Sequence, residues 1–173
     1  STIDQIKSHL HYLTFYFQGE PYLNPSFLDM VRYASDNGIY TATSTNAHYL
    51  KDEMAKKTVE SGLDRLIISI DGTTQETYQS YRIGGKLDKV IIGAKNVIKW
   101  KKELNSPTPH IIFQFLVVKP NEHQIADVLA LGKDVGVGEV RLKTAQVYEY
   151  ENGNELIPSI DKYSRYYQKK DGT

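Results

Sequence analysis

The sequence predicts an α/β fold, namely a partial (β/α) barrel of parallel strands with about five of six strand–helix units. Short apolar runs alternate with segments whose apolar residues recur at helical spacing. The run LIISI at 66–70 is continuously apolar, which is typical of a strand covered on both faces. A repeated strand–helix order favours a parallel sheet with right-handed crossovers. An open doubly wound sheet is the alternative architecture.

Five segments are predicted as strands, at residues 10–17, 39–44, 66–70, 111–118 and 139–144. The first of them, LHYLTFYF, is long and aromatic. If it lies at an uncovered edge of the sheet, it invites self-association of the chain.

Helices are predicted between these strands from their caps. Asn24 is a candidate N-cap with Pro25 at the first helical position, and Gly38 lies just past the end. A second helix is expected over about 48–61. A capping box at 73–76 opens a short helix that ends before 84–85.

The clearest helix is the next one, where apolar residues recur at three and four positions. Its apolar positions are Leu87, Val90, Ile91, Ala94, Val97 and Ile98. Asn121 is the predicted cap of the last helix. From residue 146 onward the pattern stops, and the tyrosine-rich segment 146–173 is predicted to be an extended tail beyond a core of residues 1–145.

The composition excludes several classes of function. The chain has 173 residues, with 21 Lys and Arg balanced by 21 Asp and Glu, which argues against an electrostatic nucleic-acid binder. Apolar runs stay short of the roughly 18 residues of a membrane span, and the polar start is unlike a signal peptide, so a cytoplasmic location is expected. Cysteine is absent, which excludes thiolate nucleophiles and thiolate-bound metals on this chain.

Polar residues follow the predicted strands, where sites of parallel α/β folds form. Glu20 and Asp71 each lie beside a glycine, which lets a ligand approach the backbone. A carboxylate there can accept an ammonium group or two hydroxyls. Polar turn residues at strand ends are the competing explanation. The five histidines form no metal-ligand spacing beyond His9-x-His11 and are interpreted as structural.

Four segments in order resemble the radical S-adenosylmethionine (SAM) superfamily, and within it the members with a C-terminal extension for auxiliary iron–sulfur clusters (the SPASM group). They are FQGEP, STNAHYL, IISIDGTTQETYQSYRIGG and FQFLVVKPNEHQI. The resemblance covers about residues 10–145, and it implies that the chain is the core of such an enzyme.

The resemblance implies a set of SAM contacts. Glu20 accepts the ammonium of the methionine group and Gly19 offers its backbone, although Gln18 stands where the family has glycine. Ser69 matches the ribose-contacting position, and Arg82 matches the arginine that meets the SAM carboxylate. Asp71 is an adjacent candidate, with a simple Asp-Gly turn as its alternative.

Three further residues are candidates for cofactor or substrate contacts. Thr45 and Asn46 resemble the Thr-Asn-Gly of the family, with Ala47 in place of glycine. Their alternative role is a helix cap. Gln114 is expected to point inward from its strand, where a buried amide needs a partner.

The resemblance also implies cofactors that the chain cannot bind alone. The family needs a [4Fe–4S] cluster on a Cys-x3-Cys-x2-Cys loop, and thiolate ligation has no substitute here. We therefore expect a fragment that is itself inactive, whose parent carries the loop before Ser1. The parent would reductively cleave SAM and abstract hydrogen from an unknown substrate, which could be a peptide or protein, using an external electron donor.

Two other functions stay open at this level. One is a (β/α) lyase or aldolase with Lys119 or Lys143 as a Schiff-base nucleophile. The other is a non-catalytic α/β binding module that docks through its tyrosine-rich tail.

Overall fold

The computed structural model describes residues 2–148, 150–151 and 153–166, which form one sheet flanked by helices. The strands are β1 (Tyr12–Thr14), β2 (Tyr40–Thr45), β3 (Arg65–Ser69), β4 (His110–Val117) and β5 (Glu139–Thr144). The α-helices are α1 (Thr2–Ile6), α2 (Phe27–Asp36), α3 (Asp52–Glu60), α4 (Gln75–Tyr81), α5 (Leu87–Glu103) and α6 (Ile125–Val135). Short 3-10 turns lie at Pro21–Leu23, Glu122–Gln124 and Asp161–Tyr163.

The sheet is entirely parallel, with the strand order β1-β2-β3-β4-β5. Helices separate the successive strands along the chain. Parallel neighbours need such crossovers, because a short turn cannot return the chain to the same end of the sheet. The predicted partial (β/α) barrel is therefore confirmed.

The two faces of the sheet differ in chemistry, because successive side chains of a strand point to opposite sides. One face packs under the helices and carries fully buried apolar side chains such as Leu66, Ile68 and Phe113. Burying each of them contributes roughly 1.5–3 kcal/mol. The register places Ser69 beside Gln114, and Gln114 beside Arg141, on the opposite face. That second face is polar near the carboxyl ends of the strands.

The first strand is shorter than predicted. The strand predicted over 10–17 is regular only at Tyr12–Thr14, and its last ladder bond joins the Phe15 amide to the carbonyl of Ala42 at 2.8 Å. Phe17 is 93% exposed. Beyond β1 the chain turns back, and the Glu20 carboxylate binds Thr45 and Asn46 at the end of β2.

Three predicted helix starts are wrong by one to four residues. α2 begins at Phe27 with Ser26 as N-cap, because the Asn24 side chain accepts a bond from the Ser26 amide (3.0 Å) and closes a turn instead. α3 begins at Asp52 rather than near 48. The N-cap of α4 is Thr74, whose hydroxyl accepts from the amide of Thr77 at 3.3 Å.

The tail does not extend away from the sheet. Leu156, Ile157 and Tyr166 pack against an apolar cluster at the ends of β4 and β5, formed by Val118, Ala145 and Val147 with Leu116. The Tyr166 hydroxyl donates to the carbonyl of Val147 at 2.7 Å. Apolar residues spaced through the tyrosine-rich segment supply this contact, and the described part of the tail therefore adds a layer at the carboxyl edge.

Among the described residues, no helix combines the length and apolar character that crossing a bilayer requires.

Candidate functional site

Glu20 is the centre of a hydrogen-bond network at the carboxyl end of β2. Its Oε1 accepts from the Thr45 hydroxyl (2.8 Å) and the Tyr22 amide (3.2 Å), and its Oε2 accepts from the Asn46 amide (2.8 Å). The structure thus brings together three of the residues that the sequence singled out. Each carboxylate oxygen has two lone pairs, so Oε2 keeps one acceptor position for a further donor.

The backbone around Glu20 explains the QGEP sequence. Gly19 has φ of +82°, a left-handed conformation that favours glycine, and a Cβ there would meet nothing within 4 Å. Glu20 then caps a 3-10 turn that opens with Pro21. On the other side of the contact, the Thr45 hydroxyl accepts from the Ala47 amide at 3.0 Å, and Ala47 itself has φ of +63°. This is a position where the resemblance expects glycine.

Asp71 and Arg82 form an ion pair beyond the end of β3. The Asp71 side chain is 1% exposed, and its Oδ2 accepts from the Nε of Arg82 at 2.5 Å. Its Oδ1 accepts from the amide of Leu116 in β4 at 2.9 Å. The Arg82 side chain is 37% exposed and its guanidinium carbon lies over the Tyr81 ring at 5.6 Å, while no hydrogen bond to its two terminal nitrogens is seen within the described residues.

Asn121 and Gln124 hold this loop, and sequence reasoning missed both as site residues. Asn121 stands at the N-cap of the 3-10 turn that leads into α6, but its side chain makes no cap bond. Its buried amide instead donates to the carbonyls of Asp71 (3.0 Å) and Leu116 (2.9 Å) and accepts from the amide of Val118 (2.8 Å). Gln124 accepts from the Thr73 amide at 2.7 Å. The available signal was two amide side chains within seven residues of the end of the buried strand β4, since buried amides need hydrogen-bond partners.

Tyr78 sets the spacing between Asp71 and Arg82. Its side chain is 1% exposed, and this burial raises the pKa of its hydroxyl. A Cβ at Gly72 would lie 2.4 Å from the Tyr78 amide nitrogen, and one at Gly85 would lie 2.7 Å from the Tyr78 ring. The pattern Asp-Gly, Tyr, Arg-x-Gly-Gly therefore describes one packed unit around Tyr78.

Ser69 and Gln114 are adjacent in the register on the polar face of the sheet. Both side chains are half-buried, and neither makes a hydrogen bond seen within the described part of the chain. Arg141 follows in the same row, held by Glu139 through bonds of 2.9 and 3.0 Å. Ser69 and Gln114 are thus available to a ligand, whereas Glu20 and Asp71 already accept several protein donors.

His48 connects the β2 end to the start of α5. Its Nδ1 lies 2.9 Å from the carbonyl oxygen of Asn46, and its Nε2 accepts from the Lys86 amide at 2.9 Å. The Nδ1 hydrogen must therefore donate to Asn46, which leaves the ring without a free acceptor. These bonds hold the turn after β2 against the start of α5, and the structural interpretation of the histidines stays a prediction.

The geometry gives less support to metal or Schiff-base chemistry. Lys119 and Lys143 are both exposed, whereas a Schiff-base lysine is activated by desolvation or a neighbouring cation. In the described ranges, no group of three or more His, Asp or Glu residues could hold a metal ion.

A cavity of about 590 Å³ lies beside the tail and includes neither Glu20, Ser69 nor Arg82. It is lined by Gln146, Val147, Tyr148, Tyr150, Arg165 and Tyr166.

A sequence comparison matches residues 2–132 to the family described as the radical SAM superfamily. The chain is 29% identical over 143 residues to a tungsten-containing aldehyde ferredoxin oxidoreductase cofactor-modifying protein of Pyrococcus furiosus, covering 80% of this chain and 39% of that protein. It is 26% identical over 151 residues to a PqqA peptide cyclase of Bradyrhizobium diazoefficiens, covering 82% of this chain and 36% of that protein. The chain thus spans less than two fifths of these relatives.

The fold resembles solved structures at low sequence identity. Streptococcus suis SuiB bound to S-adenosylmethionine superposes with a TM-score of 0.69 at 15% identity, covering 92% of this chain and 35% of SuiB. SuiB bound to its precursor peptide SuiA gives a TM-score of 0.64 at 14% identity, covering 84% of this chain and 30% of SuiB. These matches support the fold of the chain.

Proposed function

The chain belongs to the radical SAM superfamily, and we propose that its carboxyl edge binds the SAM of a radical SAM enzyme. In this proposal Glu20 accepts the ammonium of the methionine group, Arg82 binds its carboxylate and Ser69 binds the ribose. Gly19, Thr45, Asn46 and Gln114 complete the contact surface. When bound, SAM supplies the radical chemistry of the family, while this chain orients it.

The observation that carries the proposal is the state of the Glu20 carboxylate. Three donors from Tyr22, Thr45 and Asn46 fix its position, and one acceptor site on Oε2 stays open. A fixed anion with an open lone pair suits an ammonium group. The donor set nearby suits the rest of SAM, because Arg82 has free guanidinium nitrogens and the Ser69 hydroxyl has no protein partner among the described residues.

The iron–sulfur cluster does not fit this chain, because its 173 residues contain no cysteine. The whole protein's activity is therefore a proposal that goes beyond these residues. We infer that its cluster cysteines lie elsewhere in a longer sequence, since the chain spans only 36–39% of its two relatives. The SPASM extension, the external electron donor and a cytoplasmic location remain predictions from the resemblance and the composition.

A peptide or protein is the proposed substrate of the whole protein. One relative is a PqqA peptide cyclase, and one structural neighbour is bound to a precursor peptide. The tail layer at the carboxyl edge adds surface beside the proposed SAM site, which is compatible with a substrate of that size.

Calorimetry with SAM tests the proposed site on this chain. Glu20→Gln removes the negative charge and is expected to weaken SAM binding by about 1–3 kcal/mol, the usual cost of losing a charged partner. Glu122→Gln is a matched control, because Glu122 also accepts two backbone amides and a hydroxyl, from Ser159 and Ile160. If the wild-type chain and Glu20→Gln bind SAM with equal affinity, Glu20 serves only to form the turn and the proposed ammonium contact is wrong.

A further inference from the structure

Asp71 was a candidate ligand residue in the sequence, but its carboxylate faces the protein. It is 1% exposed, and both of its oxygens accept protein donors, one from Arg82 Nε and one from the Leu116 amide. Its backbone carbonyl accepts from the buried amide of Asn121. A group held in this way has little capacity to touch a bound cofactor.

Among the described residues, Arg82 is hydrogen-bonded through only the Nε side of its guanidinium group, whose carbon lies over the ring of Tyr81 at 5.6 Å. The Nε hydrogen is used by Asp71, and the side chain is about one third exposed beyond that point. A guanidinium has five donors in a fixed plane, so fixing Nε orients the two terminal nitrogens together. Those nitrogens are suited to a bidentate bond with a carboxylate.

We propose that Asp71 is a positioning residue that aims Arg82 at the carboxylate of SAM. The inference rests on the proposed function for the identity of the ligand, but the positioning itself is a property of the chain. The segment between the two residues is mostly α4, whose Tyr78 packs closely against Gly72 and Gly85. Asn121 ties the Asp71 backbone to the end of β4. The guanidinium is thus oriented before any ligand arrives, which reduces the entropy lost on binding.

The first experiment needs no cofactor. The Nε–H resonance of Arg82 is followed by proton–nitrogen NMR, where slow exchange with water reports the bond to Asp71. It is expected to be protected in the wild-type chain and in Asp64→Asn, and to lose protection in Asp71→Asn. Asp64 is the matched control, because its carboxylate also accepts a backbone amide from a neighbouring strand, that of Thr41 at 2.7 Å. Equal protection in wild type and Asp71→Asn would overturn the positioning role.

The second experiment compares two ligands by calorimetry, SAM and 5′-methylthioadenosine, which lacks the carboxylate. Asp71→Asn and Arg82→Ala are each expected to weaken SAM binding about tenfold or more, and to leave binding of 5′-methylthioadenosine unchanged. Arg82→Lys should also weaken SAM binding, because a lysine ammonium lacks the planar fork that binds one carboxylate through two parallel N–H donors. The double variant Asp71→Asn/Arg82→Ala should bind SAM no more weakly than Arg82→Ala alone.

The outcomes separate the two proposals. Equal loss of both ligands in Asp71→Asn would indicate general damage to the loop and overturn the positioning role, and normal SAM binding by Arg82→Lys would do the same. A wild-type chain that binds no SAM, with the Arg82 Nε–H still protected, would overturn the proposed function and leave the positioning by Asp71 intact.

Discussion

An aspartate carboxylate lies near each end of β3, and the two carboxylates differ in the groups that they bind. Asp64 before the strand and Asp71 beyond it each accept a backbone amide from a neighbouring strand, Thr41 of β2 and Leu116 of β4. The Oδ2 atom of Asp64 accepts a second hydrogen bond, from the hydroxyl of Thr41 at 3.1 Å. The second carboxylate oxygen of Asp71 accepts from Arg82, whose side chain is partly exposed.

The difference shows how one fold separates stability from binding. At the amino end, one oxygen of the Asp64 carboxylate closes a contact within the sheet, and no ion pair of this carboxylate is seen among the described residues. At the carboxyl end, a buried carboxylate holds a cation at the surface. We therefore expect substitutions at the amino end to affect only stability, and those at the carboxyl end to affect both stability and ligand affinity.

Removing each carboxylate should give the largest difference between the two ends of β3, measured as the loss in the free energy of unfolding. Asp71→Ala leaves the Leu116 amide and the Arg82 guanidinium without their partner, and is expected to cost about 2–4 kcal/mol in the free energy of unfolding, less than a fully buried pair because Arg82 can turn to water. Asp64→Ala leaves only neutral donors and should cost about 1–2 kcal/mol. Urea denaturation of both variants measures this. A larger loss for Asp64→Ala would reverse the comparison.

The glycines that flank β3 give a second, smaller contrast. Gly72→Ala places a Cβ 2.4 Å from the backbone nitrogen of Tyr78, so the main chain must move, and we expect a loss of about 2 kcal/mol or more. Gly62→Ala meets the movable end of the Ser35 side chain at 2.5 Å and a φ of +77°, which costs about 1 kcal/mol. Thermal unfolding of the two variants measures this difference, and equal melting temperatures would contradict the prediction.

The smallest expected effect concerns acid and the tail at the carboxyl edge. Burial alone raises the pKa of Glu122, but the hydrogen bonds from Ser159 and Ile160 outweigh burial and lower the pKa below its ordinary value of 4.5. A lowered pKa means that the carboxylate stabilises the docked tail above pH 4.5, and that this contribution is lost as the pH falls through the lowered value.

NMR titration of the Ser159 and Ile160 amides from pH 6 to pH 3 checks this prediction. Their signals should shift together at acid pH in the wild-type chain and stay constant in Glu122→Gln. The loop at 104–109, before β4, offers an internal reference, because its Pro109 carbonyl accepts from Lys101 Nζ at 2.7 Å and the bond involves no carboxylate. A simultaneous shift of that loop would indicate global unfolding instead.

Much of the fold followed from periodicity, because apolar spacing depends on the layers of the sheet and helices. All five predicted strands exist, and β5 has the predicted bounds. The errors fall at element ends. There, the Asn24 side chain binds a backbone amide across a turn, and the Glu20 side chain binds one that is distant in sequence. The local sequence does not identify which backbone group such a side chain binds.

The sequence identified residues of the candidate site better than it identified the hydrogen bonds that they make. The resemblance grouped Glu20, Thr45 and Asn46, and the structure joins them. It could not say that Asp71 faces inward, because an Asp-Gly pair is compatible with both a turn and a ligand. Asn121 was missed as a partner of Asp71, since a contact across 50 residues leaves no periodic signal.

The strand order has a consequence for how the chain folds. Every strand pairs with its immediate predecessor along the chain, and the sequence separations run from Ala42 with Arg65 at the shortest to Arg65 with His110 at the longest. Pairing between consecutive strands keeps the contact order lower than a strand order that skips units would, because no pairing spans more than one strand–helix unit. The sheet can therefore grow one strand and helix at a time as the chain emerges from the ribosome, without waiting for a distant partner segment.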